Sequence, residues 1–195
     1  MKKNIFVSSD HHFGHKNILK FCPDTRPFDT IEEHDEQLIS RHNAVVRDGD
    51  DVYFLGDFAF CSADKILKIL KRLNGTKHFI FGNHDKQMRQ AAMAHNSDIS
   101  KQFVWMKDYH EFKSDRADLR CPIVMFHYPT HSWNRMHHGA LHFYGHTHSG
   151  IPTMFSGRGK DIGVDSNECY PWNINDLAVL MNKCDVVDAR ERQKK

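Results

Sequence analysis

Five short apolar runs constrain this chain more than anything else in it: NIFVSS (4–9), DVYFLG (51–56), KHFIFG (77–82), PIVMFH (122–127) and ALHFYG (140–145). Each has strand length and is rich in β-branched or aromatic residues. Helical patterns lie between them. Thr30-Ile-Glu-Glu33 is a capping box that opens a helix to about Val46. Ser62 can cap a helix running to Leu73, whose apolar side is Ile66, Leu67, Ile69, Leu70 and Leu73, and Asn74-Gly75 stops it. A further helix fits Ile174 to Asn182 behind an Asn173 cap. Alternation of strand and helix predicts an α/β layered domain. QFVWM (102–106) and YHEFK (109–113) are weaker strands, expected to form a hairpin around Lys107-Asp108.

With 195 residues, one compact domain is expected, over 1–184, followed by a charged C-terminal tail at 185–195. A net charge of +2 is too small to imply nucleic-acid binding, which stays open. No apolar run approaches membrane-span length, and Asp10 ends the first one too early for a signal-peptide core. The five cysteines, Cys22, Cys61, Cys121, Cys169 and Cys184, include no C-x-x-C pair and read as reduced thiols in a cytoplasmic protein.

Sixteen histidines is the unusual figure. His34, His42, His95 and His110 show no partner pattern and read as scattered surface residues. The others recur at one kind of place. The first run leads into Asp10-His11-His12, the second into Asp57, the third into Asn83-His84-Asp85, the fourth into His127 and the fifth into His146-Thr147-His148. Any one of these is explained by a turn or a helix cap; Asp85, for instance, is placed to cap a following helix. In an open α/β sheet, however, the carboxyl ends of strands meet at one rim, where ligands bind. Oxygen and imidazole donors without sulfur suit Mn, Fe, Ni, Co or Zn. Seven such residues exceed one tetrahedral ion and suit two ions sharing a bridging carboxylate, the arrangement used for phosphate-ester hydrolysis.

The order Asp10-x-His12, Gly56-Asp57, Gly82-Asn83-His84-Asp85, His127, Gly145-His146-x-His148 resembles the calcineurin-like metallophosphoesterases. D-H-H-F-G-H-K-N-I, R-P-F at 26–28, H-Y-P at 127–129 and G-V-D at 163–165 followed by Tyr170-Pro171 resemble a subgroup of small bacterial and phage phosphoesterases. The resemblance implies a four-layer α/β/β/α sandwich and a pair of divalent ions, Mn foremost. Asp10, His12, Asp57 and His148 would hold one ion, and Asp57, Asn83, His127 and His146 the other, with Asp57 bridging. A metal-bridging hydroxide would attack phosphorus. His84 would act on the phosphoryl oxygens or the leaving oxygen, and Asp85 would orient His84 through its other ring nitrogen.

The expected substrate is a small or nucleotide-like phosphodiester, because the chain leaves little room for a cap over the rim. A phosphomonoesterase or a nucleotide pyrophosphatase would use the same ions, and a metal-free binding scaffold is the non-enzymatic alternative. His15 and Asn17 either point a helix start at phosphate or form a plain polar turn. Arg26 either grips a substrate phosphate with its forked donors or is a loop arginine bound to a surface carboxylate. The segment from His131 to His138 either walls the pocket, with Trp133 as a stacking face for a base, or is surface loop. His11 is expected to point away from the site, Asp165 to be structural, and Lys65, Lys68, Lys71 and Arg72 to form a solvated face.

Overall fold

Two sheets share the core of this α/β protein, in a computed structural model that describes residues 3–94, 97–113, 122–150 and 157–186. The first sheet contains β1 (Ile5–Ser8), β2 (Asp51–Phe54), β3 (Thr76–Ile80), β4 (Phe103–Lys107) and β9 (Trp172–Asn173), in the order β4-β3-β2-β1-β9. β1 to β4 are parallel and β9 is antiparallel. The second sheet contains β5 (Tyr109–Phe112), β6 (Ile123–Phe126), β7 (Leu141–Tyr144) and β8 (Gly159–Asp161), in chain order. There β5 is antiparallel to β6, and β6, β7 and β8 are parallel.

Strand alternation sorts the first sheet's side chains into two cores. Phe6, Val52, Phe54 and Phe79 pack with helices α2 (Ile31–Val45), α3 (Ala63–Arg72) and α4 (Lys86–Met93). Val7, Tyr53, Leu55 and Ile80 face the other way and pack with Ile123, Met125, Leu141 and Phe143 of the second sheet. α5 (Ile174–Met181) adds Ile174, Leu177, Ala178 and Met181 to that inter-sheet core. The remaining helix, α1 (Ile18–Phe21), is a single turn.

The caps are those expected. Thr30 accepts from the Glu33 amide at 3.1 Å while Glu33 accepts from the Asp29 amide at 3.1 Å, Ser62 accepts from Lys65, and Asn173 accepts from Asn175. Three expectations fail. Lys107 and Tyr109 are separated only by Asp108, but β4 and β5 belong to different sheets, so the chain crosses between layers there instead of forming a hairpin. His34 and His42 are buried instead of on the surface. The apolar pattern of α2 hides this because both histidines have polar partners beneath the surface: Arg26 and Asp35 for His34, the Asn74 carbonyl for His42. His110 is half-buried, stacked with Tyr53 and Phe112. His95, Cys121 and the tail beyond residue 186 lie outside the described residues.

Candidate metal centre

The C-terminal ends of β1, β2, β3, β6 and β7 bring the seven candidate ligands together. Asp10, His12 and His148 form one group and Asp57, His127 and His146 a second, the ligand-type atoms within each lying no more than 4.8 Å apart. Asp57 lies between the groups: its Oδ2 is 3.8 Å from His12 Nε2 and 3.6 Å from His127 Nε2. Asn83 completes the second group, its Oδ1 lying 3.1 Å from His127 Nε2 and 3.0 Å from His146 Nδ1.

The backbone is bent to make this possible. Asp10, His12, Asp57, His146 and His148 all have φ between 46° and 70°. Non-glycine residues visit this left-handed region at a cost, and such residues concentrate at functional sites. Glycines permit the close packing. A Cβ on Gly145 would lie 2.1 Å from Ser9 Oγ and 2.4 Å from Asp10 Oδ2, and one on Gly82 would lie 2.3 Å from Asp57 Oδ1. Gly82 and Gly145 are therefore required by the side chains packed against them.

Protonation follows from the hydrogen bonds. His127 Nδ1 donates to the Leu55 carbonyl at 2.7 Å, and burial holds its pKa below the usual histidine value. The neutral ring therefore turns an Nε2 lone pair toward the Asp57 carboxylate. His12 is likewise kept neutral by burial, and its buried Nε2 has no hydrogen-bond partner while facing Asp57. Burial pushes the Asp10 carboxyl up to about 8, against the pull of His148. Two neutral imidazoles thus face the Asp57 carboxylate, beside an Asp10 carboxyl that burial disposes to keep its proton. A divalent cation would relieve such a set and return the carboxyl to its charged form. The donors of these two groups are nitrogen and oxygen only.

Behind the ligands lies a buried network that the sequence reading placed elsewhere. Arg26 is fully buried and does not reach toward a substrate. Its Nε and Nη2 donate to Asp165 Oδ1 and Oδ2 at 2.8 and 2.7 Å, and its remaining N–H groups donate to the Asp10 and His11 carbonyls and to His34. Asp165 in turn accepts from His148 Nδ1 at 2.8 Å and from Thr25 at 2.6 Å. Burial acts to raise the Asp165 pKa, but the Arg26 fork and His148 hold it well below the carboxylate range. Asp161, which the sequence reading did not single out, receives Thr147 Oγ1 and the Ser149 and Gly163 amides and so shapes the loop carrying His146 and His148.

Asp85 also departs from expectation. Its carboxylate accepts from the backbone N–H groups of Asp57, Phe58 and Gly82 at 2.8, 3.0 and 2.7 Å. It neither orients the His84 ring by those bonds nor caps α4, where it makes no side-chain cap. It ties the β2 and β3 ends together instead. His84 is exposed; its amide donates to Asp57 Oδ1 at 2.9 Å and its ring lies 5.9 Å from that of His12. It stands at the rim outside both ligand groups. His15 is joined to His12, Nδ1 to Nδ1, at 3.2 Å. Asn17 is exposed at the start of α1 with no capping bond. His11 packs among Phe13, Phe54 and Phe58 away from the site, as expected. Trp133 lies against His142 and donates to the Ala140 carbonyl.

Fold and site define an α/β protein whose strand ends gather carboxylate, amide and imidazole groups of the kinds that can ligate a metal. No family model matches the chain. The uncharacterized protein MJ1445 of Methanocaldococcus jannaschii is 49% identical over 86 residues, which are 43% of this chain and 48% of the relative, so the chain spans about half the length of that relative. The crystal structure of a protein of unknown function, AQ665 from Aquifex aeolicus, superposes with a TM-score of 0.69 over 92% of this chain and 100% of that one, at 23% identity, a likeness of fold.

Proposed function

We propose that this chain is a metal-dependent phosphoesterase that hydrolyses a phosphodiester, small or nucleotide-like, with two divalent ions of which Mn is the first candidate. The observation that carries the reading is the position of Asp57. Its carboxylate stands between an unpartnered, buried His12 nitrogen and the His127 lone pair, with three-residue donor groups on either side. In support of the four-layer form of the fold, α2, α3 and α4 cover one face of the first sheet and the second sheet packs on the other. Bound ions supply activated water and neutralise the charge of the phosphate.

The chain's own residues do the rest. Asp10, His12, Asp57 and His148 would hold one ion; Asp57, Asn83, His127 and His146 would hold the other. Arg26 and Asp165 keep His148 in place. His84, exposed beside Asp57, delivers a proton to the departing oxygen or donates to the phosphoryl oxygens. His15 stands close enough to His12 to face the same substrate. Among the described residues Asn83, His84 and His146 are exposed, and that exposure favours a diester, with a group on each side of phosphorus, over a monoester. The test is reconstitution with Mn²⁺ and comparison of bis-p-nitrophenyl phosphate with p-nitrophenyl phosphate. The diester should have the higher kcat/KM; a monoester preference of about tenfold or more, roughly 1.4 kcal/mol, would reverse the assignment.

A further inference from the structure

Beside the candidate ligands lies a surface that the phosphate chemistry does not use. Phe60 follows Asp57 by three residues and is 36% exposed, although the adjoining Phe58 and Ala59 are buried. Its ring is parallel to two imidazoles, His15 at 4.1 Å and 17° and His12 at 5.0 Å and 13°. A third imidazole, that of His84, lies 4.8 Å away at 45°. Phe21, 69% exposed, meets His15 edge-on at 6.0 Å. Two exposed phenyl rings thus flank the imidazole of His15, which is joined to the candidate ligand His12.

Exposing a phenylalanine costs free energy that a polar residue would spare, and a packing role alone would need only the ring face turned to the histidines. The backbone holds Phe60 firmly: its amide donates to the Phe13 carbonyl at 2.8 Å, and Phe13 and Ala59 form a parallel bridge. The ring is therefore held in place at the edge of the site instead of swinging on a loose loop. A planar group attached to a phosphate at the two donor groups would come within stacking distance of this edge, because Phe60 already lies 5.0 Å from the His12 ring.

We propose that Phe60, with Phe21 beside it, is a stacking shelf for the planar aromatic group of the substrate, an aryl ring or nucleobase carried by the phosphoester. This rests on the phosphoesterase reading and narrows it to aromatic esters. The rings contribute stacking and burial of apolar area, which every base or aryl face can satisfy. The shelf selects for flatness and not for a hydrogen-bond pattern.

Calorimetric binding of phenylphosphonate and methylphosphonate to the Mn²⁺-loaded protein tests this without turnover. The two ligands share the phosphonate and differ in the one group that would meet the shelf. The unaltered protein should bind the phenyl compound about tenfold more tightly, roughly 1.4 kcal/mol. Phe60→Ala should bring the ratio close to one while methylphosphonate affinity and metal content hold, and Phe60→Trp should keep the preference. An unchanged phenyl preference in Phe60→Ala, or equal affinity for the two phosphonates in the unaltered protein, would overturn the shelf and leave the phosphoesterase reading standing. If neither phosphonate binds a protein that carries its metal, the phosphoesterase reading falls and takes the shelf with it. Loss of metal in Phe60→Ala with recovery in Phe60→Trp, and a phenyl preference no greater in Trp than one, would assign the ring to packing alone and also overturn the shelf.

Discussion

His148 donates through Nδ1 to Asp165 at 2.8 Å, and the same carboxylate is gripped on both oxygens by Arg26. This fixes the tautomer and direction of a candidate ligand from behind, the role carboxylates commonly play for metal-bound histidines. Arg26 also donates to the Asp10 carbonyl at 2.6 Å, so one buried side chain holds both the first and the last ligand segments. Asp165→Asn should therefore weaken one ion far more than the other, by about 10–100-fold. Metal titration would show one tight and one weak ion; two unchanged affinities would make Asp165 a bystander.

Asp57→Asn should affect both ions, because the carboxylate lies 3.8 Å from His12 and 3.6 Å from His127. Elemental analysis of the reconstituted variant should give fewer than two ions per chain, with little turnover. Two ions and normal activity would remove Asp57 from the bridging position.

His84→Ala should keep its metals and lose kcat. Loss of a general acid typically costs about 10²–10⁴-fold. The loss should be smaller for p-nitrophenyl esters, whose leaving group needs no proton, than for alkyl esters. Metal loss in this variant would instead make His84 a ligand.

Asp85→Ala should act on stability before activity. It leaves three buried backbone donors, on Asp57, Phe58 and Gly82, without an acceptor. Each such group costs about 1–3 kcal/mol, so the metal-free variant should melt well below the parent. A thermal midpoint equal to the parent's would refute the tie between the β2 and β3 ends.

Two buried histidines away from the metal groups set an acid limit. Burial lowers His42 and His142 to about 4, from the ordinary value near 6.5. Above that ordinary value the folded and unfolded chains are both neutral at these positions, and stability is unaffected. As pH falls from about 6.5 to about 4, the unfolded chain takes up protons that the folded one refuses, so stability falls across that window, by up to about 1.4 kcal/mol per unit for each group. The urea midpoint should be lower at pH 5 than at pH 7.5. His142→Asn should flatten that dependence, and an equally steep curve in the variant would point to other groups.

The convergence of the candidate ligands at one rim was legible in the sequence because each follows a strand-like apolar run, and parallel strands deliver their ends to one edge. The helix caps were legible for the same local reason. What failed depends on contacts between distant segments. Arg26 looks like a loop residue until Asp165, far along the chain, is brought against it. Asp85 looks like a helix cap or a partner of its neighbour His84, yet its acceptors are spent on amides from β2's end and its own turn. His34 and His42 interrupt no helical pattern that would mark them as buried, since their partners come from other elements. β4 and β5 look like a hairpin because only tertiary pairing assigns them to separate sheets. Phe60 was invisible because an isolated exposed phenylalanine carries no sequence signal; only its ring contacts with three histidines place it at the rim.

The central claim is a two-ion centre that cleaves phosphodiesters, and Mn²⁺ titration of the metal-stripped protein with bis-p-nitrophenyl phosphate turnover followed at each addition tests it most directly. The account predicts that binding saturates at two ions per chain and that turnover appears with the second. Saturation at one ion or none, or two bound ions with no hydrolysis of any phosphoester offered, would contradict it.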